Sequence, residues 1–164
     1  MDVYEIVNAL NQILNLGDSL DDTGVVGVRA LTNGERTTRE AIRLELGQFL
    51  LYIANGNSTL EDGEVALINL VLGDEYTSFQ LKQLAATTNE PNPSSCLTLA
   101  GFLSGDMALT QQNGYKTTSS TDVLIQVFEA FGNLMVAFDE NSVSRARCAK
   151  YINGMKSYVM KNLR

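Results

Sequence analysis

The chain has 164 residues, a formal net charge of −7 and a pI near 4.5; it is 45% hydrophobic and contains neither histidine nor tryptophan. Histidine is the usual general acid–base near neutral pH and the usual activator of serine or cysteine nucleophiles, so its absence excludes the common hydrolase triads. The acidic balance argues against nucleic acid, where binding rests on Lys and Arg neutralising phosphates, and predicts a protein partner of basic character instead.

Taken in chain order, Val3, Ile6, Val7, Leu10, Ile13 and Leu14 recur at helical spacing and predict a helix over Asp2–Leu16 that Gly17 stops. The stretch Asp18–Gly34 carries a short apolar patch (Val25, Val26, Val28, Leu31) that fits either a helical turn or an ordered loop. Thr37 or Thr38 caps the next helix, whose stripe Ile42, Leu46, Phe49, Leu50 and Ile53 runs to Ala54 and marks it as the central core helix. After the polar loop Asn55-Gly56-Asn57-Ser58-Thr59, a helix begins at Glu61 or Asp62 and ends at Gly73. Thr77 or Ser78 opens another, and Asn89-Glu90-Pro91-Asn92-Pro93 breaks the chain within the domain. Ser94 or Ser95 opens a helix toward Met107, Asn113–Ser120 reads as a loop, and Thr121 caps a long helix interrupted by Gly132. Beyond Asp139-Glu140-Asn141-Ser142 a last helix follows. No strict alternation competes with these segments, so the expectation is an all-α, single-domain bundle over 1–164 with six to eight helices. Laying Leu46-Gly47 over Phe131-Gly132 brings two helical hairpins into register and suggests an approximate two-fold repeat.

No uninterrupted apolar run approaches the ~20 residues needed to span a bilayer, and the first residues show no basic region ahead of an apolar one. Cys96 and Cys148 fit no zinc or redox spacing and are expected to be reduced packing thiols. Together these predict a cytoplasmic protein without a transmembrane segment. Six of the twelve basic residues (Arg145, Arg147, Lys150, Lys156, Lys161, Arg164) fall in the last twenty positions and read as a solvated helix face.

The carboxylates around residues 55–64 bear on metal binding. An EF-hand register starting at Asn55 fails, because its sixth and twelfth positions are Leu60 and Ala66 rather than Gly and Glu. A looser divalent site for Ca or Mg would draw on Asn57, Asp62 and Glu64, with Asp139 from the second hairpin. Alternatively, Ser58 or Thr59 with Glu61 or Asp62 supplies only caps and favourable charge at a helix start.

The string Tyr52-Ile53-Ala54-Asn55-Gly56-Asn57-Ser58, then Leu60, Glu64, Ile68-Asn69 and Leu72-Gly73, resembles the helical hairpin of TerB-like (tellurite-resistance B) domains. The family's Asp-Gly turn falls on Asn57-Ser58 and its following Glu on Glu64, while the second hairpin places its acid at or near Asp139 and carries Arg145 and Arg147 beyond it. The resemblance implies an all-helical fold and a scaffold or binding role in bacterial stress or defence systems, with metal binding weakened by the loss of one acid per site. Two alternatives accompany it: a divalent metal-ion sensor, and an acidic immunity or inhibitor protein for a basic toxin. Gly17-Asp18-Ser19-Leu20 also looks like the Asp-Ser-Leu motif of acyl carrier proteins, but the following Asp21-Asp22-Thr23-Gly24 matches poorly and a helix stop with a turn explains it better. The expected function is non-catalytic, with no resident cofactor.

Overall fold

In the computed structural model, which describes residues 2–55, 57 and 59–162, the chain forms eight α-helices and one 3₁₀ turn, with no strand among those residues. Ser58 and Arg164, which entered the sequence reading as cap, turn match and cation, lie outside the described residues.

Helix α1 (Val3–Asp22) starts at a reciprocal cap, the Glu5 N–H donating to Asp2 at 2.8 Å and the Asp2 N–H to Glu5 at 3.3 Å. It runs through Gly17 instead of stopping there. A Cβ on Gly17 would lie 2.8 Å from Thr38 Cγ2, so this glycine permits close approach to the next long helix rather than termination. Ser19 is therefore mid-helix, its hydroxyl donating to the Asn15 carbonyl. Residues 18–34 hold the end of α1 and a short helix α2 (Gly27–Leu31), the helical-turn alternative for that stretch.

Helix α3 (Thr38–Ala54) takes its cap from Thr37, whose hydroxyl oxygen accepts the Glu40 N–H. Helix α4 (Asp62–Leu72) ends on Gly73 at φ 70, the left-handed conformation that glycine adopts without penalty. Helix α5 (Ser78–Thr87) has a Thr77–Gln80 capping box. The prolines then impose a 3₁₀ turn (Pro93–Ser95), which delays α6 (Leu97–Asn113) beyond Ser94 and Ser95. Helix α6 continues past Met107 to a left-handed Gly114. Helix α7 (Ser119–Phe138) begins before Thr121 and passes Gly132 unbroken; α8 (Ser142–Asn162) completes the bundle.

The suggested repeat is visible in the packing. Helices α3 and α7 lie against each other at the centre; α1 packs on α3 as α6 packs on α7, and α4 closes on α3 as α8 closes on α7. The offset that lays Leu46-Gly47 over Phe131-Gly132 also lays Asp21 over Asp106, which make matching contacts described below. Helices α2 and α5 have no counterpart, and α8 is almost twice the length of α4. Phe49 of α3, Phe128 of α7 and Tyr151 of α8 stack at the middle, with Phe49–Tyr151 centroids 4.7 Å apart. Helix α7 is long and apolar enough by composition to cross a membrane, but half of that stretch is buried, and it packs on α1, α3, α4, α6 and α8 in the manner of a core helix.

Candidate functional site

Asp21, Glu64 and Asp106 are buried and Glu45 is partly so, and each accepts N–H groups at a helix start. Asp21, in the last turn of α1, accepts the Thr38 N–H at 2.7 Å, the Thr38 hydroxyl at 2.6 Å and the Arg29 N–H at 3.2 Å. Asp106 on α6 accepts the Thr121 N–H at 2.8 Å, the Thr121 hydroxyl at 2.6 Å and the Ser120 N–H at 3.3 Å. Glu45 accepts the Leu97 and Thr98 N–H groups at 2.9 and 2.7 Å, closing the start of α6. Helix N-termini expose unsatisfied donors and a positive dipole end, which is the chemistry a buried carboxylate needs. Sequence reading missed Asp21, Glu45 and Asp106 because their partners Thr38, Thr98 and Thr121 lie 17, 53 and 15 residues away along the chain.

Glu64 does the same at the start of α4 and is the centre of the predicted site. Its Oε1 accepts the Glu61 N–H at 3.0 Å and its Oε2 accepts Asn57 Nδ2 at 2.7 Å. Asn57 Oδ1 in turn accepts Asn141 Nδ2 at 2.8 Å and the Ser144 hydroxyl at 2.9 Å, both from the start of α8. Asn141 Oδ1 accepts the Ser144 N–H at 2.9 Å, so a backbone donor fixes the orientation of Asn141, which fixes Asn57, which turns its NH₂ to Glu64. The chain of bonds ties the first turn of α8 to the first turn of α4 across the end of α3. Lys82 Nζ, from α5, donates to the Asn57 carbonyl at 2.8 Å.

Of the four residues predicted to gather here, Asn57 and Glu64 touch. Asp139 is half-buried alongside; its carbonyl accepts Asn141 Nδ2 at 3.1 Å and its charge repels Glu64. Asp62 is exposed in the first turn of α4. Among the described residues no three Asp, Glu or Cys side chains come close enough together to hold a metal ion. A divalent ion held between the Asn57 side chain and Glu64 would require the Asn57 amide to turn over against both α8 donors. Where the resemblance to TerB-like domains implies a second carboxylate, the helix after Asp139 carries Arg145 and Arg147, and Arg145 pairs with Glu140 at 3.1 Å. Arg147 Nη1 instead donates to the Tyr52 carbonyl at 2.8 Å, with its guanidinium 4.8 Å from the Tyr52 ring centroid.

Burial pushes the Glu64 carboxyl above its ordinary range, against the lowering effect of the Glu61 and Asn57 hydrogen bonds. Between the ordinary carboxylate range and the raised value, the unfolded chain has released a proton that the folded chain still holds. Glu64's contribution is therefore fully present below the unfolded pKa and lost as pH rises through the folded one. Urea denaturation at a series of pH values should show wild-type stability declining across that window relative to Glu64→Gln, whose side chain does not titrate there; parallel profiles would refute the assignment.

A second region of polar side chains lies along the loop between α5 and α6. Glu90 Oε1 accepts Lys150 Nζ at 2.7 Å and the Tyr52 hydroxyl at 3.0 Å, and these bonds hold its carboxyl below the usual range. Beneath it, burial pushes the Cys96 thiol up to about 12, and Cys148 is likewise raised. Both cysteines are buried and unpaired, as expected of packing thiols. Compared with protein-family models, curated proteins and solved structures, the chain has no match.

Proposed function

We propose that this chain is a non-catalytic helical binding module that engages a basic protein partner, serving as a scaffold component of a bacterial stress or defence system. What supports the reading above all is the use made of the inner acids: Asp21, Glu45, Glu64 and Asp106 are all spent on helix starts, while the remaining acids give the surface its negative balance. Acidic surfaces of this kind steer and select cationic partners, and such association weakens as salt rises. The resemblance at residues 52–73 is what points to a TerB-like system, and an adjacent toxin gene would shift the role to inhibitor or immunity protein.

Affinity capture on the tagged full chain from its native host, washed at rising salt, tests the reading. A basic protein retained at low salt and released at high salt is expected. Retention that is indifferent to salt, or of acidic proteins alone, would sink it.

The competing reading, a divalent metal-ion sensor, draws on the contact between Asn57 and Glu64. Calorimetric titration with Ca²⁺, Mg²⁺ and Mn²⁺ separates the two, since a metal sensor releases heat at millimolar metal and a binding module does not. Asn57→Asp supplies the acid that the resembling family carries. Two facing carboxylates repel, so this variant should lose about 1–3 kcal/mol without metal and recover part of it with millimolar Ca²⁺. Thermal melts with and without Ca²⁺ would reveal this; a variant insensitive to Ca²⁺ would show that no ion is held there even when the acid is present.

A further inference from the structure

The outer face of α3 is the floor of a trough made of two joined hollows. The first, of about 440 Å³, is lined by Leu44, Leu51, Leu72 and Leu84, with Glu40 and Asp74 at its edge. The second, of about 430 Å³, is lined by Glu45, Glu90, three side-chain amides and Tyr151. Gln48 and Thr88 line both, so the two hollows adjoin. Tyr151 is 3% exposed and lines this end of the trough.

The charge is one-sided. Four carboxylates border the trough and Arg43 is the cation among its lining residues. Arg43 is already engaged, donating to the Leu70 and Val71 carbonyls at 3.2 and 3.0 Å at the end of α4. Lys150 lies in the neighbouring hollow, paired with Glu90. An apolar hollow joined to an acceptor-rich acidic one favours a segment that offers a bulky apolar side chain beside a cation. From Leu44 to Gln48 the helix rises about 6 Å, the distance spanned by two residues of extended chain.

We infer that this trough docks an extended basic segment of a protein partner with an apolar–x–Lys/Arg pattern, the apolar side chain among Leu44, Leu72 and Leu84 and the cation at Glu90 Oε2, since Lys150 and Tyr52 both bond Oε1 and Glu45 is engaged at the start of α6. The inference rests on the reading of the chain as a binding module and specifies its contact surface. A second copy of the chain is a poorer occupant, since it brings a net charge of −7 to an acidic trough.

Selection of a random displayed-peptide library on the intact chain should enrich apolar–x–basic sequences. Fluorescence anisotropy with an enriched peptide should then show affinity falling about fivefold in Glu90→Gln and in Leu44→Ser, both exposed positions, with Tyr151→Phe weakening it less. Glu35→Gln, the same charge change in a remote exposed loop, should leave it unaltered. Failure to enrich any sequence, enrichment of acidic ones, or equal weakening by Glu35→Gln overturns the trough. If a basic partner is nonetheless captured and its binding ignores Leu44→Ser and Glu90→Gln, the docking surface is wrong while the module reading stands. Failure of the wild-type chain both to capture a basic partner and to enrich any peptide overturns both.

Discussion

Asp21→Ala and Asp106→Ala should each lower stability by about 3–5 kcal/mol, because each leaves buried donors without an acceptor. In Asp21→Ala the Thr38 N–H and hydroxyl lose their partner, and Arg29 loses its tie to α1. In Asp106→Ala the Thr121 N–H and hydroxyl are stranded in the same manner. Pairing Asp106→Ala with Thr121→Val removes the orphaned hydroxyl and should recover part of the loss, a coupling that a double-mutant cycle reads directly; at the other clasp the Thr38 hydroxyl also accepts the Val28 N–H at 2.9 Å, so Thr38→Val would strand a further donor. Urea denaturation gives the numbers. A loss under 1 kcal/mol at both sites would mean that water reaches these donors and that the clasps are ornaments of the fold.

The second large effect is expected at Gly132, where α7 presses on both α3 and α8. A Cβ there would lie 2.7 Å from Cys148 Sγ and 2.9 Å from Phe49 Cζ, closer than side-chain carbons approach such atoms. Alanine gains about 1 kcal/mol of helix propensity over glycine, yet Gly132→Ala should still destabilise. Gly132→Val adds branching and overpacking and should cost about 3 kcal/mol. Because one clash is with the Cys148 sulfur, Cys148→Ala should relieve Gly132→Ala in part, while the clash with the Phe49 ring persists. Chemical denaturation of the single and double variants distinguishes this packing from a simple propensity effect, which would instead make Gly132→Ala more stable.

Most of the helical order was legible because apolar residues at three- and four-residue spacing leave little else for a segment to do. Gly17 misled because a glycine that ends a helix and one that admits a neighbouring helix look alike until the neighbour is in place. The buried acids carry a signal in their spacing. Asp21 continues the stripe Leu10, Leu14, Gly17, Asp106 continues Leu99, Phe102, Leu103, and Glu64 opens Leu67, Ile68, Val71. A carboxylate on an apolar stripe must find donors inside, and a Thr at a later helix start supplies them for Asp21 and Asp106. The predicted site was half readable for the same reason: Asn57 and Glu64 lie within one hairpin, whereas Asn141 and Ser144 arrive from far along the chain. The trough is the least legible feature, since α3, the end of α4, α5, the proline loop and α8 each contribute one wall.

The two carboxylate clasps have a bearing on how the molecule could be divided. Asp21 closes on Thr38 and Asp106 on Thr121, so each clasp joins helices on its own side of the exposed loop at 89–92. A polypeptide cut in that loop leaves both clasps whole and severs only the connection between them. Mixed in equal amounts, the two fragments should reassemble through the α3–α7 seam into a noncovalent heterodimer, with a helical circular dichroism signal greater than the sum of the separate parts.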